Sequence, residues 1–157
     1  MFNLFKKEEY LCAVAKGKLI GIEQVPDKVF SQKILGEGFG VIPTEGDFCS
    51  PADGVISDVA ETLHAYCITT DDGLEIIVHI GIDTVELKGE GFINTVKTGA
   101  KVKRGDIIAH ADLTLIQSKG YNPTTSVIIT NSDRLSKFQL AENTNVNIGD
   151  KALIYKI

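Results

Sequence analysis

Short runs rich in apolar and β-branched residues recur along the chain between clusters of Gly, Asp and Asn: GVISDVAE, HAYCITT, LEIIVHIGI, TSVIITN and DKALIYKI. Their length, their partial period-two alternation and their flanking turn residues predict strands. Only DRLSKFQLAE, Asp133 to Glu142, carries helical spacing. The four prolines punctuate loops or strand edges. No linker-like stretch divides the chain. Residues 1–9 are therefore expected to form a flexible N-terminal tail, and residues 10–157 a single domain. Two internal echoes add to this. CAVAKGKLIGIEQV and CSPADGVISDVAET share Cys followed five residues later by Gly, and KVKRGDIIAHADL and NVNIGDKALIYKI share Val-x-x-Gly-Asp followed by an apolar run. These echoes predict pseudo-duplicated β-motifs packed face to face. The expected fold is an all-β antiparallel sandwich or barrel-sandwich with at most short helices.

One strand is unusual. Within EIIVHIG, Ile76, Val78 and Ile80 share one face, the natural core face, while Glu75, Ile77, His79 and Gly81 share the other. In the preceding TLHAYCI, Leu63, Ala65 and Cys67 form one set, and Thr62, His64, Tyr66 and Ile68 the other. TTDDG between the two strands signals a hairpin. A two-residue loop at Asp71-Asp72 sets His64 directly opposite His79, and one at Asp72-Gly73 sets Tyr66 there with His64 on the diagonal. A three-residue loop would face Leu63 with Gly81 and mix the two sets, so the pattern disfavours it. Both favoured registers place His64 and His79 on one outward face. A neutral imidazole is a good phosphoryl acceptor near neutral pH. Two of them serve equally as a pair of metal ligands or as ordinary surface residues, and spacing alone leaves these three readings open.

Composition narrows the class. The chain has 157 residues, 43% hydrophobic and 24% charged, with fifteen glycines and one methionine. These values fit a soluble globular domain with many turns and little helix. A net charge of −5 argues against a nucleic-acid partner. No apolar run approaches membrane-spanning length. Phe2, Leu4 and Phe5 beside Lys6 and Lys7 allow at most peripheral membrane contact. Cys12, Cys49 and Cys67 are an odd set without Cys-x-x-Cys spacing, so they read as buried apolar residues of a cytoplasmic protein.

VHIGIDTVELKGEGF, preceded by TLHA, resembles the glucose-type enzyme IIA of the bacterial phosphoenolpyruvate:sugar phosphotransferase system, and PDKVFSQKILGEGFGVIPTEG, SPADGVI and KVKRGDIIAHADL extend the likeness over nearly the whole chain. The resemblance implies a phosphocarrier. His79 would accept a phosphoryl group from the histidine-containing phosphocarrier protein and pass it to a cysteine on the IIB domain of a sugar permease. His64 would support the phosphoryl group, with Thr62 orienting the His64 ring and the Gly81 carbonyl holding the His79 ring. Regulatory binding of metabolic or transporter targets is a further expectation. No cofactor is obligatory; zinc would bind His64 and His79 only where a target supplies a further ligand. Glu37, Phe39, Tyr66, Ile77 and Asp83 are the expected partner-binding residues, an apolar centre with a charged rim. The chain departs from the family pattern in CAVAKGK, in Ala111–Leu113 and at Ser126, where the family commonly has proline; these departures are expected to lie away from the histidine pair, in packing or edge strands, and His110 matches no functional position.

Overall fold

The computed structural model describes residues 8–157. The expected membrane-touching residues Phe2 to Lys7 lie outside the described residues, and Glu9, assigned to the tail, already belongs to the first strand. The large sheet has eight strands. In spatial order they are β13 (Asn145–Val146), β2 (Gly17–Gly21), β3 (Glu37–Pro43), β11 (Thr125–Ile129), β7 (Glu75–His79), β6 (Ala65–Thr70), β5 (Gly54–Val59) and β9 (Lys101–Val102). Two three-stranded sheets complete the sandwich. One orders β1 (Glu9–Cys12), β14 (Lys151–Lys156) and β12 (Lys137–Leu140); the other orders β4 (Asp47–Cys49), β10 (Ile107–Ala111) and β8 (Phe92–Asn94). All pairings are antiparallel. The main core between the sheets includes Phe39, Phe48, Tyr66, Ile68, Ile76, Val78 and Val127.

The sequence echoes are a pseudo-twofold. The Cys12 amide donates to the Pro51 carbonyl at 2.9 Å, and the Cys49 amide to the Val14 carbonyl at 2.8 Å. The amides of Ala13 and Ser50 donate to the carbonyls of Asp150 and Asp106, each in a Val-x-x-Gly-Asp turn. Each turn is closed by its own carboxylate: Asp150 accepts from the Asn147 amide and Asp106 from the Lys103 amide, both at 2.8 Å. The two aligned glycines, Gly17 and Gly54, are places where a Cβ would sit 2.0 Å and 2.3 Å from a neighbouring strand's carbonyl oxygen. Close backbone approach explains why each motif ends in glycine.

The helical expectation for Asp133–Glu142 is corrected. Ser132–Arg134 form one 3₁₀ turn, and Lys137–Leu140 pair with β14 as an edge strand. Their apolar spacing matched a helix over too few residues to outweigh ladder hydrogen bonds. The two short α-helices among the described residues lie elsewhere. α1 (Lys28–Ser31) is capped by Asp27 accepting from the Val29 amide, and α2 (Leu113–Ser118) by Asp112 accepting from the Leu115 amide. α1 belongs to a second, smaller cluster of Ile20, Ile22, Val25, Phe30 and Ile128.

Candidate functional site: two imidazoles at the end of a hairpin

His79 is the last residue of β7, where Ile76 and Val78 point into the core and Ile77 and His79 do not. The outward placement of His79 therefore agrees with its alternation. The hairpin register does not. The loop is Asp71-Asp72-Gly73, a three-residue connection, and it pairs Ala65 with His79, Tyr66 with Val78 and Cys67 with Ile77. The Thr70 amide closes it by donating to the Leu74 carbonyl at 2.9 Å, and Gly73 takes φ +92°. A glycine in the left-handed region after the turn makes the three-residue loop favourable. The core set of β6 is therefore Tyr66 and Ile68, both fully buried. Both faces of β6 carry apolar residues, so alternation could not choose between them.

His64 nevertheless reaches His79, because it precedes β6 and escapes its alternation. Leu63 adopts φ +60°, and the chain bends there before entering the strand. The Ile80 amide donates to the His64 carbonyl at 2.7 Å and ties the bend to the end of β7. The two rings meet edge to face, centroids 4.9 Å apart and planes at 86°.

Each Nδ1 is engaged. His79 Nδ1–H donates to the Gly81 carbonyl at 2.8 Å, which fixes the neutral tautomer with its lone pair on Nε2. Gly81 can present that carbonyl because its φ is +83°, and a Cβ there would lie 2.4 Å from Thr84 Cγ2. His64 Nδ1 shares a 2.8 Å hydrogen bond with the Thr62 hydroxyl. Burial, reinforced by the neighbouring His79, lowers the His64 pKa to about 4. Burial also lowers that of His79, against the opposing pull of the Gly81 carbonyl and the Asp27 and Asp83 carboxylates. Both rings are thus held neutral at physiological pH, the state in which the lone pair on His79 Nε2 is nucleophilic.

Thr62, Gly81, His64 and His79 come together as expected. Asp83 is exposed in the left-handed region beside the site, and Ile77 is partly exposed next to Cys67. Glu37 is partly exposed and pairs with Lys33 at 3.2 Å. Phe39 and Tyr66 are corrected: both have no exposed surface, so neither can touch a docked protein. Phe39 faces the core because β3 pairs it with Val127, and Tyr66 because β7 pairs it with Val78. The Tyr66 hydroxyl has no hydrogen-bond partner among the described residues, and burial raises its pKa to about 12. His110 lies in another sheet, against Asp47.

Two neighbours of His79 escaped the sequence reading. Phe30 on α1 packs its ring 5.0 Å from that of His79. Val29, Ile34 and Leu35, on α1 and the turn after it, leave 45%, 65% and 39% of their surface exposed. These exposed apolar residues flank Phe30 in sequence and are candidates for the contact that Phe39 and Tyr66 were expected to supply, and the signal was available in the apolar residues of PDKVFSQKIL. The second neighbour is Ser126, expected away from the histidine pair but placed directly across from His79 by the pairing of β11 with β7, strands distant in sequence. Its hydroxyl is buried and has no partner among the described residues, at a cost of about 1–3 kcal/mol.

A family model for the phosphoenolpyruvate-dependent sugar phosphotransferase system, EIIA 1, matches residues 9–135. The chain belongs to this family. Among EIIA relatives, the glucose-specific EIIA component of Haemophilus influenzae is 45% identical over 129 residues, covering 82% of this chain and 78% of that protein. The glucose-specific EIICBA component of Streptococcus pneumoniae is 43% identical over 132 residues, covering 84% of this chain but 18% of that larger protein. The solved structure of glucose permease IIA from Mycoplasma capricolum superposes with a TM-score of 0.89 at 33% identity, covering 96% of this chain and 97% of that one. An EIIA component is a part of a sugar phosphotransferase system, and this likeness spans both imidazoles and the strands that carry them. No helix among the described residues is long and apolar enough to cross a membrane.

Proposed function

We propose that this EIIA chain is a cytoplasmic phosphoryl carrier that uses His79 as acceptor. The observation that carries the reading is the paired geometry: His79 Nδ1 locked on the Gly81 carbonyl, and a second neutral ring 4.9 Å away held by Thr62. The lone pair on His79 Nε2 attacks the phosphorus of the donor carrier's phosphohistidine. A new N–P bond forms as the donor's N–P bond breaks, its electron pair returning to the donor nitrogen. His79 keeps its Nδ1 proton throughout. With the Thr62 hydroxyl donating to His64 Nδ1, His64 Nε2–H is free to donate to a phosphoryl oxygen. Such transfers depend on positioning and charge stabilisation more than on covalent help. Onward transfer runs the same displacement in reverse, with the thiolate of a permease IIB domain as nucleophile.

Val29, Ile34 and Leu35 supply the apolar contact for both partners, with Asp83 and Glu37 at its edge. A metal ion joining His64 and His79 would take both Nε2 lone pairs once the His64 proton moves to Nδ1, where it would donate to the Thr62 oxygen. Among the described residues no cluster of three or more potential ligands is arranged to hold one, so a docked protein would have to complete a tetrahedral shell.

The test is phosphorylation by phosphoenolpyruvate, enzyme I and the phosphocarrier protein. An acid-labile, base-stable phosphoryl group should appear and be absent from His79→Gln. His64→Gln should accept phosphate yet pass it on slowly. Normal onward transfer by that variant would remove His64 from the mechanism.

A further inference from the structure

On the outward face of the large sheet, one in-register row crosses five strands: Ile20, Gly40, Ser126, His79 and Ala65. Ser126 is the direct neighbour of His79 in that row, and side chains so placed have Cβ atoms about 4.5–5.5 Å apart. Val25 stands over Gly40 on one side, since a Cβ at Gly40 would come within 2.8 Å of Val25 Cγ2. Phe30 packs against His79 on the other. Ser126 is 1% exposed, and its hydroxyl has no partner among the described residues. Its neighbours in the row offer aliphatic carbon, a glycine and one imidazole whose Nδ1 is committed to Gly81 and whose Nε2 makes no hydrogen bond to the hydroxyl. A donor buried without an acceptor is unfavourable, and alanine would fill the same place without that penalty.

We infer that the Ser126 hydroxyl is a phosphoryl-holding donor, kept in reserve until His79 is phosphorylated. The inference rests on the carrier reading above. Phosphorylation is the event that brings strong acceptors to this row, as the oxygens on His79 Nε2. Ser126 then donates to one oxygen from the β11 side while His64 donates to another from the β6 side. The apolar cover of Val25 and Phe30 shields the hydrogen bond from water and so strengthens it. The hydroxyl has no partner among the described residues of the free carrier and gains one in the loaded carrier, so it biases the chain toward holding phosphate.

The experiment measures the equilibrium of phosphoryl exchange between the phosphocarrier protein and wild type, Ser126→Ala and Ser126→Thr. A lost hydrogen bond to a charged group predicts that Ser126→Ala moves this equilibrium about tenfold toward the phosphocarrier. Ser126→Thr, which keeps the hydroxyl, should restore it. Unphosphorylated Ser126→Ala should melt no lower than wild type. An unchanged equilibrium in Ser126→Ala overturns the inference while leaving His79 as acceptor. An equal loss in Ser126→Thr also overturns it, by exposing a packing effect. Failure of wild type to take any phosphoryl group overturns the carrier reading itself.

Discussion

Gly81→Ala is the sharpest perturbation of the site, because two separate penalties meet at one methyl group. The backbone at φ +83° lies in the left-handed region, where an L side chain costs about 1–2 kcal/mol. The new Cβ would also lie 2.4 Å from Thr84 Cγ2, closer than any real contact, and such overpacking adds about 1–3 kcal/mol. Thr84 cannot swing away freely, since it is buried and its hydroxyl donates to the Ile80 carbonyl. The expected loss in urea denaturation is therefore about 2–5 kcal/mol. Thr84→Ser removes the clashing methyl and keeps the hydroxyl. In that background Gly81→Ala should cost only the backbone share, giving a coupling of about 1–3 kcal/mol in the double-mutant cycle. Function should fall as well, because any shift of the Gly81 carbonyl releases His79 Nδ1 from its 2.8 Å anchor. A displacement of about 1 Å at a reacting group can cost about a hundredfold. Phosphorylation rate and the imidazole nitrogen chemical shifts of His79 would report it. Wild-type stability together with an unchanged tautomer in Gly81→Ala would refute the account of how the ring is held.

Three further outcomes follow from the same structure. His64 has a folded pKa of about 4 against an ordinary 6.5, so above pH 6.5 it binds no proton in either state. As pH falls from 6.5 to about 4 the unfolded chain takes the proton first, and stability should drop by about 3 kcal/mol more than in His64→Gln, measured by denaturation across that range. Tyr66→Phe deletes a buried hydroxyl that has no partner among the described residues and should leave stability unchanged or raise it by about 1–2 kcal/mol; a loss beyond about 1 kcal/mol would mean the hydroxyl is bonded after all. Phe39→Ala should cost about 3–5 kcal/mol through a core cavity, whereas Ile34→Ala should leave stability within about 0.5 kcal/mol and weaken phosphocarrier docking, as titration calorimetry would show.

The sequence alone determined the parts whose physics is local. Period-two runs specified strands, and the repeated Val-x-x-Gly-Asp turns announced a duplicated scaffold because each turn is closed by its own aspartate. Alternation on β7 put His79 outward, since Ile76 and Val78 leave no doubt about the core side. The motif around His64 and His79 named the family. Tertiary structure decided the rest. Only the left-handed glycine at Gly73 chose a three-residue loop, and only the bend at Leu63 let His64 meet His79 in that register. Phe39 and Tyr66 were sent inward by strands paired from far along the chain. Phe30 and Ser126 reached His79 through contacts distant in sequence, Phe30 from α1 and Ser126 from β11. Local pattern fixes which residues prefer a pleated, half-buried surface. Which side of that surface becomes core depends on what the other strands cover, and a single strand does not contain that information.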